Sequence, residues 1–257
     1  MKKYLMVTLI VVMFLMGCSQ GTKSNSSEDT EAVNKKEVFS KLLREKDLMS
    51  YVVKTKSEAI FNAQSDEKKE VTNLNGTVEM TREPKIYHAK WEGISDNTKD
   101  ESEVYIIDKE NFYRENKGEW NKKTIDDMNG NKEDIPTFVA KTTFDSNSIL
   151  ENLESYYEIV KSRDVYILKL ESNSDNISEI KNILFGKDES NSFIGELTSI
   201  RAEFSFEKDT YKPISFEWEA RFLNKENDEV TQLKQIGNYE KINQLEEIEI
   251  PEEIKNL

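Results

Sequence analysis

The sequence predicts a mainly β fold of the α+β class, built on an antiparallel sheet. The first observation is a period-two alternation of apolar and polar residues, which recurs between residues 51 and 239 and is typical of strands that bury one face. The second is that turn-forming residues separate the segments at short intervals, as in hairpins, whereas βαβ units need long crossovers. The third is that few segments have helical spacing instead.

The N-terminal part of this domain is predicted to contain one helix followed by strands. The helix is expected over residues 34–50, where apolar side chains recur at three- and four-residue spacings: Val38, Phe39, Leu42, Leu43 and Met49. Strands are expected at residues 51–63, 74–80 and 87–91, because in each segment the apolar residues share one parity: Tyr51, Val53, Ala59, Phe61 and Ala63; Leu74, Val78 and Met80; and Tyr87, Ala89 and Trp91. Lysine, glutamate and asparagine fill most of the alternate positions, so each strand is expected to have one wet face.

The next segment is predicted to form a hairpin and then a loop. The hairpin spans residues 105–113, and a second turn at Asn116-Lys117-Gly118 leads to Trp120. Residues 122–136 are polar and irregular, so we expect a loop there. A helix is expected over residues 145–157, because Ile149, Leu150, Leu153 and Tyr157 fall on one helical face.

A strand and a short helix precede the C-terminal third. Tyr166, Leu168 and Leu170 mark the strand, and the helix is expected over residues 176–186, ending at Gly186.

The C-terminal third has the clearest pattern, a three-stranded meander. Residues 200–206 and 214–222 alternate apolar with charged or small polar side chains, and a third strand is expected over residues 229–239. The resulting sheet has one aromatic face and one charged face. The acidic end of the chain, residues 246–253, is expected to be a solvated tail.

The N-terminus has the pattern of a secretory signal. Lys2 and Lys3 precede an apolar run from Tyr4 to Met16, which is short for a membrane span. The run ends at Gly17-Cys18, and this segment resembles the lipobox of bacterial lipoproteins, in which the cysteine takes a diacylglyceryl group and becomes the first residue after cleavage. We therefore predict a signal peptide (1–17), a lipidated Cys18 with a flexible polar tether (18–34), and one domain (35–257). Two acyl chains give stable anchoring, which predicts a lipid-anchored protein on the extracytoplasmic face of the cell membrane.

Charge and cysteine content exclude some classes of partner. The formal net charge is −14, and it becomes −16 when Lys2 and Lys3 are removed. Such a protein repels phosphate backbones, so no nucleic-acid partner is expected. Cys18 is the only cysteine, so no disulfide or redox role is expected.

Residues for catalysis or metal binding are sparse. His88 is the only histidine, which leaves no histidine-clustered zinc site and only one possible histidine for a Ser-His-Asp triad. His88 falls inside a predicted strand, where a sheet-face residue is expected. The stretch 126–131 superficially resembles a calcium loop, but with Gly130 at position 6 it would place Ile125 and Pro136 at ligand positions. We predict no enzyme activity, catalytic residue, metal or cofactor.

The aromatic face is the one candidate for ligand binding. It comprises six residues: Trp91, Phe204, Phe206, Phe216, Trp218 and Phe222. Two interpretations stay open, since these residues are either plain core under the helices or the lining of a cavity for an acyl chain or another apolar ligand.

The order of these elements resembles that of uncharacterised Gram-positive lipoproteins related to the LolA and LppX/LprG carriers. The likeness spans about residues 35–257 and includes the hairpin at 105–113 with Trp120 beyond it, Phe206–Pro213, and the ending Pro251–Ile254. It implies a strongly curved antiparallel sheet, an unclosed half-barrel, with helices over its concave face. Relatives that carry lipids or lipoprotein acyl chains imply an apolar ligand here.

Two functions follow as hypotheses. The first is a non-enzymatic lipoprotein that binds or senses a hydrophobic ligand such as a lipid or an acyl chain. The second is an interaction module for another envelope protein, with no ligand cavity.

Overall fold

The computed structural model describes residues 35–42, 48–65, 67, 69–95, 98–108, 110–124, 153–185 and 195–257. The predicted signal peptide, Cys18 and the tether lie outside these residues. None of the described helices has the length and hydropathy to cross a bilayer.

The described helices are α1 (Lys35–Leu42), α2 (Ile177–Phe185) and α3 (Glu252–Lys255). The strands are β1 (Ser50–Phe61), β2 (Glu70–Arg82), β3 (Lys85–Ser95), β4 (Thr98–Ile107), β5 (Glu110–Glu115), β6 (Asn121–Thr124), β7 (Tyr157–Lys161), β8 (Val165–Glu171), β9 (Glu196–Glu207), β10 (Pro213–Asn224) and β11 (Glu229–Glu240).

All eleven described strands form one antiparallel sheet. Its order is β6-β5-β4-β3-β2-β1-β11-β10-β9-β8-β7, so every neighbour is a chain neighbour except the pair β1–β11. Within the described residues, β6 and β7 remain the two edges and the sheet does not close. The predicted mainly β fold with an unclosed antiparallel sheet is therefore confirmed.

Strand register follows from the alternation of the sequence. In β10 the side chains of Phe216, Trp218 and Ala220 are buried, while Glu217 and Glu219 on the opposite face remain partly exposed. A shift of one residue would expose the aromatic rings and bury the carboxylates, so this register is strongly specified. The predicted meander of β9, β10 and β11 is confirmed.

One face of the sheet forms the main core, and we call it the inner face. Its buried cluster includes residues as distant in strand order as Ile106 on β4 and Tyr157 on the edge strand β7. Both α1, through Phe39, and α2, through Ile180, pack into the same cluster. The two halves of the sheet and two helices thus share one core on the inner face.

The opposite, outer face is wet except where the C-terminal segment covers β3, β4 and β5. There Ile248 and Ile254 pack in a second cluster with Ile86, Tyr105, Phe112 and Trp120. The Tyr105 hydroxyl donates a hydrogen bond to the backbone carbonyl of Glu249 (3.1 Å). The prediction of a solvated tail is therefore wrong in part, since its carboxylates are exposed but its isoleucines anchor it.

Two predicted helices differ from the structure. The first was expected to reach residue 50, but α1 is described only to Leu42, residues 43–47 lie outside the description, and Ser50 already pairs with Thr81 on β2. The helix expected over 145–157 lies outside the description up to residue 152. A 3₁₀ turn at Glu154–Tyr156 follows, and Tyr157 begins β7 because it pairs with Leu170.

Other predicted segments are confirmed, are wrong in part or lie outside the described residues. The helix expected over 176–186 is confirmed as α2, and the hairpin at 105–113 is confirmed as β4 and β5. The loop expected over 122–136 is wrong at its start, where β6 pairs with β5 through residues 121–124. Residues 125–136, including the stretch that resembles a calcium loop, lie outside the description.

Candidate functional site on the inner face

The six aromatic residues that the sequence singled out all lie on the inner face. Trp91 comes from β3, Phe204 and Phe206 from β9, and Phe216, Trp218 and Phe222 from β10. Each is at most 7 % exposed. The structure thus brings all six into one buried cluster.

The aromatic cluster connects the sheet to α1. Phe204 contacts Tyr157 edge-on (ring centroids 5.7 Å apart), and Tyr157 contacts Phe39 of α1 (5.8 Å). Burial raises the pKa of the Tyr157 hydroxyl, so this ring stays neutral at physiological pH. The contact between α1 and the sheet is therefore made by uncharged rings.

Two glycines let aromatic rings lie directly over neighbouring strands. A Cβ atom at Gly76 on β2 would meet Trp91 Cδ1 at 2.5 Å, and one at Gly237 on β11 would overlap the ring of Phe216. A side chain at either position would force the ring to shift, because real Cβ atoms do not approach so closely. Glycine inside a strand is otherwise unfavourable, so these positions mark close packing of ring on backbone.

A set of buried polar atoms without hydrogen-bond partners lies amid this apolar face. We call it the polar patch, and it consists of Thr55 Oγ1, Ser57 Oγ, Trp91 Nε1 and Gln235 Nε2. All four residues are at most 6 % exposed. Buried polar groups are nearly always paired with protein or ordered water, so four unpaired atoms in one place need an explanation.

The orientation of Gln235 is fixed by a neighbour. Trp218 Nε1 donates a hydrogen bond to Gln235 Oε1 (2.8 Å), which leaves Gln235 Nε2 as the unpaired end. Sequence reasoning missed this patch because threonine, serine and glutamine are common on wet faces. The alternation in β1 could have indicated the patch, because Thr55 and Ser57 share the parity of Val53 and Ala59, which the prediction placed on the apolar face.

Asn111 adds a second unpaired group on the inner side of β5. Its side chain is fully buried, and neither Oδ1 nor Nδ2 has a partner. Its directly paired residue is Ile106, which belongs to the main core. Sequence reasoning did not single out Asn111.

His88 lies on the outer face, in a network of charged residues. Nδ1 is 2.9 Å from Glu79 Oε2 and Nε2 is 2.9 Å from Glu103 Oε1, and the ring stacks on Tyr105. Arg114 donates two hydrogen bonds to the Glu103 carboxylate (2.6 and 2.9 Å). Burial acts to raise the pKa of Glu103, but the hydrogen bonds from Arg114 and His88 outweigh it and lower the pKa. The histidine thus ties three strands together, as expected for a sheet-face residue.

A charged cleft of about 310 Å³ also lies on the outer face, across β8, β9 and β10. Its charged lining pairs within itself, as in Arg201–Glu219 (2.7 Å) and Lys169–Glu203 (3.5 Å). Among the described residues, no group of three or more His, Cys, Asp or Glu side chains is arranged to hold a metal ion.

Comparisons with known proteins identify a family and two distant structures. Residues 34–257 match the family of unknown function DUF6612, and the chain belongs to that family. A search of curated proteins found no match. The crystal structure of the ywiB protein from Bacillus subtilis is similar at 6% sequence identity and a TM-score of 0.23, covering 75% of this chain and 95% of that chain. The crystal structure of a beta-barrel-like protein of domain of unknown function DUF1849 from Brucella abortus is similar at 10% identity and a TM-score of 0.26, covering 75% and 97%. Likenesses at these TM-scores carry no argument about this chain.

Proposed function

We propose that this member of the DUF6612 family is a non-enzymatic, lipid-anchored extracytoplasmic protein that binds a hydrophobic ligand between its helices and the inner face of its sheet. The ligand would be a lipid or another molecule with an acyl chain. The observation that supports this function most directly is the polar patch within the aromatic inner face. A ligand site is typically apolar with a few polar groups that fix orientation, and a plain core has no use for unpaired buried polar atoms.

The energetics of α1 are compatible with ligand exchange. The described part of α1 has eight residues, and a segment of that length is not stable as a helix without tertiary packing. It packs against the core through Phe39, which is buried, and Leu42, which is partly buried, and these two contacts contribute on the order of 3 kcal/mol at about 2 kcal/mol per fully buried apolar side chain. A chain of about ten methylenes contributes roughly 8 kcal/mol at 0.8 kcal/mol each. An acyl chain therefore offsets the loss of the α1 contacts.

The N-terminal sequence is the support for the proposed location of the protein. Lys2, Lys3, the apolar run and Gly17-Cys18 support export and acylation at Cys18. The likeness in element order to the LolA and LppX/LprG carriers is in keeping with a lipid ligand.

The rival function is an envelope interaction module in which the aromatic face is only core. Its support is the full burial of the six aromatic residues, together with the charged cleft between β8 and β10 on the outer face. In that case the protein needs no ligand, and its partner would bind the outer face.

Native mass spectrometry of the mature protein, purified gently from membranes, separates the two. We expect an added mass of one lipid beyond the acyl groups on Cys18, and a clean mass of the acylated chain alone would refute ligand binding. The variant Trp218→Glu places a charge on the inner face and should lose the added mass. Trp120→Glu makes the same change in the outer cluster and should keep it, with far-UV circular dichroism used to check that both variants fold.

The anchor has its own test. A clickable fatty acid supplied to growing cells should label the wild type and leave the Cys18→Ser variant unlabelled. An unlabelled wild type, or a folded domain found in the cytosol, would contradict the proposed location.

A further inference from the structure

The polar patch has a defined hydrogen-bonding character, and we infer from it that the ligand carries an uncharged oxygen acceptor, such as the carbonyl of an ester or amide, at the centre of the inner face. This inference rests on the proposed function and narrows the class of ligand that the site would bind. It distinguishes neutral acyl esters and amides from free fatty acids, which share the same apolar chain.

The four atoms of the patch lie on neighbouring rungs of the sheet, a rung being a row of directly paired residues. On one rung Trp91 and Thr55 flank Gly76, and Trp91 Nε1 and Thr55 Oγ1 lie 2.7 and 2.5 Å from the point where a Gly76 Cβ would stand. On the next rung Ser57 pairs directly with Gln235. Thr55 and Ser57 are two residues apart on the same face of β1, the middle strand of the sheet. The absence of a side chain at Gly76 keeps the two groups of the first rung close together.

The chemistry of the patch selects an acceptor. The indole Nε1 of Trp91 and the amide Nε2 of Gln235 can only donate. The hydrogen bond from Trp218 to Gln235 Oε1 fixes Nε2 as the unpaired end of that amide. The hydroxyl groups of Thr55 and Ser57 can donate or accept. A group that satisfies all four therefore has to accept at least two hydrogen bonds, which a carbonyl oxygen does with its two lone pairs.

The surroundings select an uncharged acceptor. The rung that runs from Trp91 through Gly76, Thr55, Gly237, Phe216 and Phe204 to Leu168 contains no charged residue. The next rung contains none between Leu74 and Leu170, through Ser57, Gln235, Trp218 and Ala202. Beyond Leu74 it continues through Gly93 to Asp100, two strands away on β4. A buried carboxylate without a cation is strongly unfavourable, so a free fatty acid would not place its head group there. The aromatic and aliphatic side chains of both rungs provide the apolar wall for the chain.

A pair of probes with the same chain tests this inference: 1-monomyristoylglycerol, a neutral ester, and myristate at pH 8. The protein is the mature chain with the substitution Cys18→Ser, which removes the acyl groups of the anchor. Binding is followed by calorimetry and by tryptophan fluorescence, since Trp91 and Trp218 both line the site. We expect the ester to bind at least tenfold more tightly than myristate.

The double variant Thr55→Val/Ser57→Ala removes two hydroxyl groups with little change of shape. We expect its affinity for the ester to fall at least fivefold and its affinity for myristate to stay the same. Its urea midpoint should stay equal or rise, because two unpaired buried polar groups are removed. The control Thr231→Val makes the same change on β11 outside the patch, next to Phe222, and should leave the preference for the ester unchanged.

The outcomes test separately whether a hydrophobic ligand binds and whether the site prefers an uncharged acceptor. If both probes bind equally and the double variant binds the ester like the wild type, the patch holds only water, and the inference is overturned while a hydrophobic ligand remains supported. If neither probe binds, the proposed function fails and takes this inference with it. A higher urea midpoint with a selective loss of ester binding supports both.

Discussion

Replacement of Gly237 by alanine tests how closely the aromatic rings fit against the sheet. A Cβ atom at this position would meet three ring carbons of Phe216, and even the most distant of the three, Cδ1, is only 2.9 Å away. Carbon atoms pack at about 3.5–4.0 Å, so the ring has to withdraw by roughly 1 Å or more. Phe216 is fully buried, so it has no solvent to move into and has to displace its neighbours.

The expected loss of stability is the balance of two effects. Overpacking a well-packed core costs about 1–3 kcal/mol. Alanine also restricts the unfolded chain, which stabilises the protein by about 0.4–1 kcal/mol. We therefore expect Gly237→Ala to lower the free energy of unfolding by about 1–2 kcal/mol, equivalent to roughly 2–4 °C in Tm for each kcal/mol in a domain of this size.

Urea unfolding followed by circular dichroism measures this loss, and Gly93→Ala is a matched control. A Cβ atom at Gly93 would meet only Leu74 Cδ2, the far end of a flexible side chain, at 2.6 Å. This variant should therefore be close to neutral. A second substitution, Phe216→Leu, should offset part of the effect of Gly237→Ala, with a coupling above about 0.5 kcal/mol. Equal losses in Gly237→Ala and Gly93→Ala would refute the reasoning.

Two further predictions concern the outer face. Glu103→Gln removes the charge that Arg114 and His88 both contact and should cost on the order of 2 kcal/mol at pH 7. Because the folded-state pKa of Glu103 lies below its ordinary value of 4.5, its contribution is present above that value and is lost as the pH falls through the lowered pKa. The difference in urea midpoint between wild type and variant should therefore close on acidification, and a constant difference would contradict this assignment. Ile254→Ala should cost about 2 kcal/mol because Ile254 of the C-terminal segment is buried in the second cluster, whereas Leu257→Ala, at an exposed position, should leave the urea midpoint unchanged.

The sheet was predictable where alternation is strict. In β9 and β10 every second residue is aromatic or aliphatic, so one face had to be buried whatever lay against it. The pairing of β1 with β11 was not predictable in the same way, because residues such as Val52 and Glu240 meet only through the global fold.

The errors have physical causes. Tyr157 continues the helical spacing of Leu153, but pairing with Leu170 on β8 overrides that local preference. The C-terminal segment was predicted to be solvated because most of its residues are acidic. Ile248 lies between these acidic residues in the sequence, but it packs in one cluster with Trp120. The polar patch was not predicted, because a threonine such as Thr55 is common on both the buried and the exposed face of a strand.

The position of β1 has a consequence for synthesis. β1 lies early in the chain and is followed directly by its partner β2, but its other edge is completed only by β11, which ends at Glu240. Until β11 is in place, that edge offers unpaired backbone groups to other chains, and such long-range pairing slows folding. A nascent or prematurely terminated chain that lacks residues 229–240 would thus expose the unpaired edge of β1, and it would depend on chaperones to avoid aggregation.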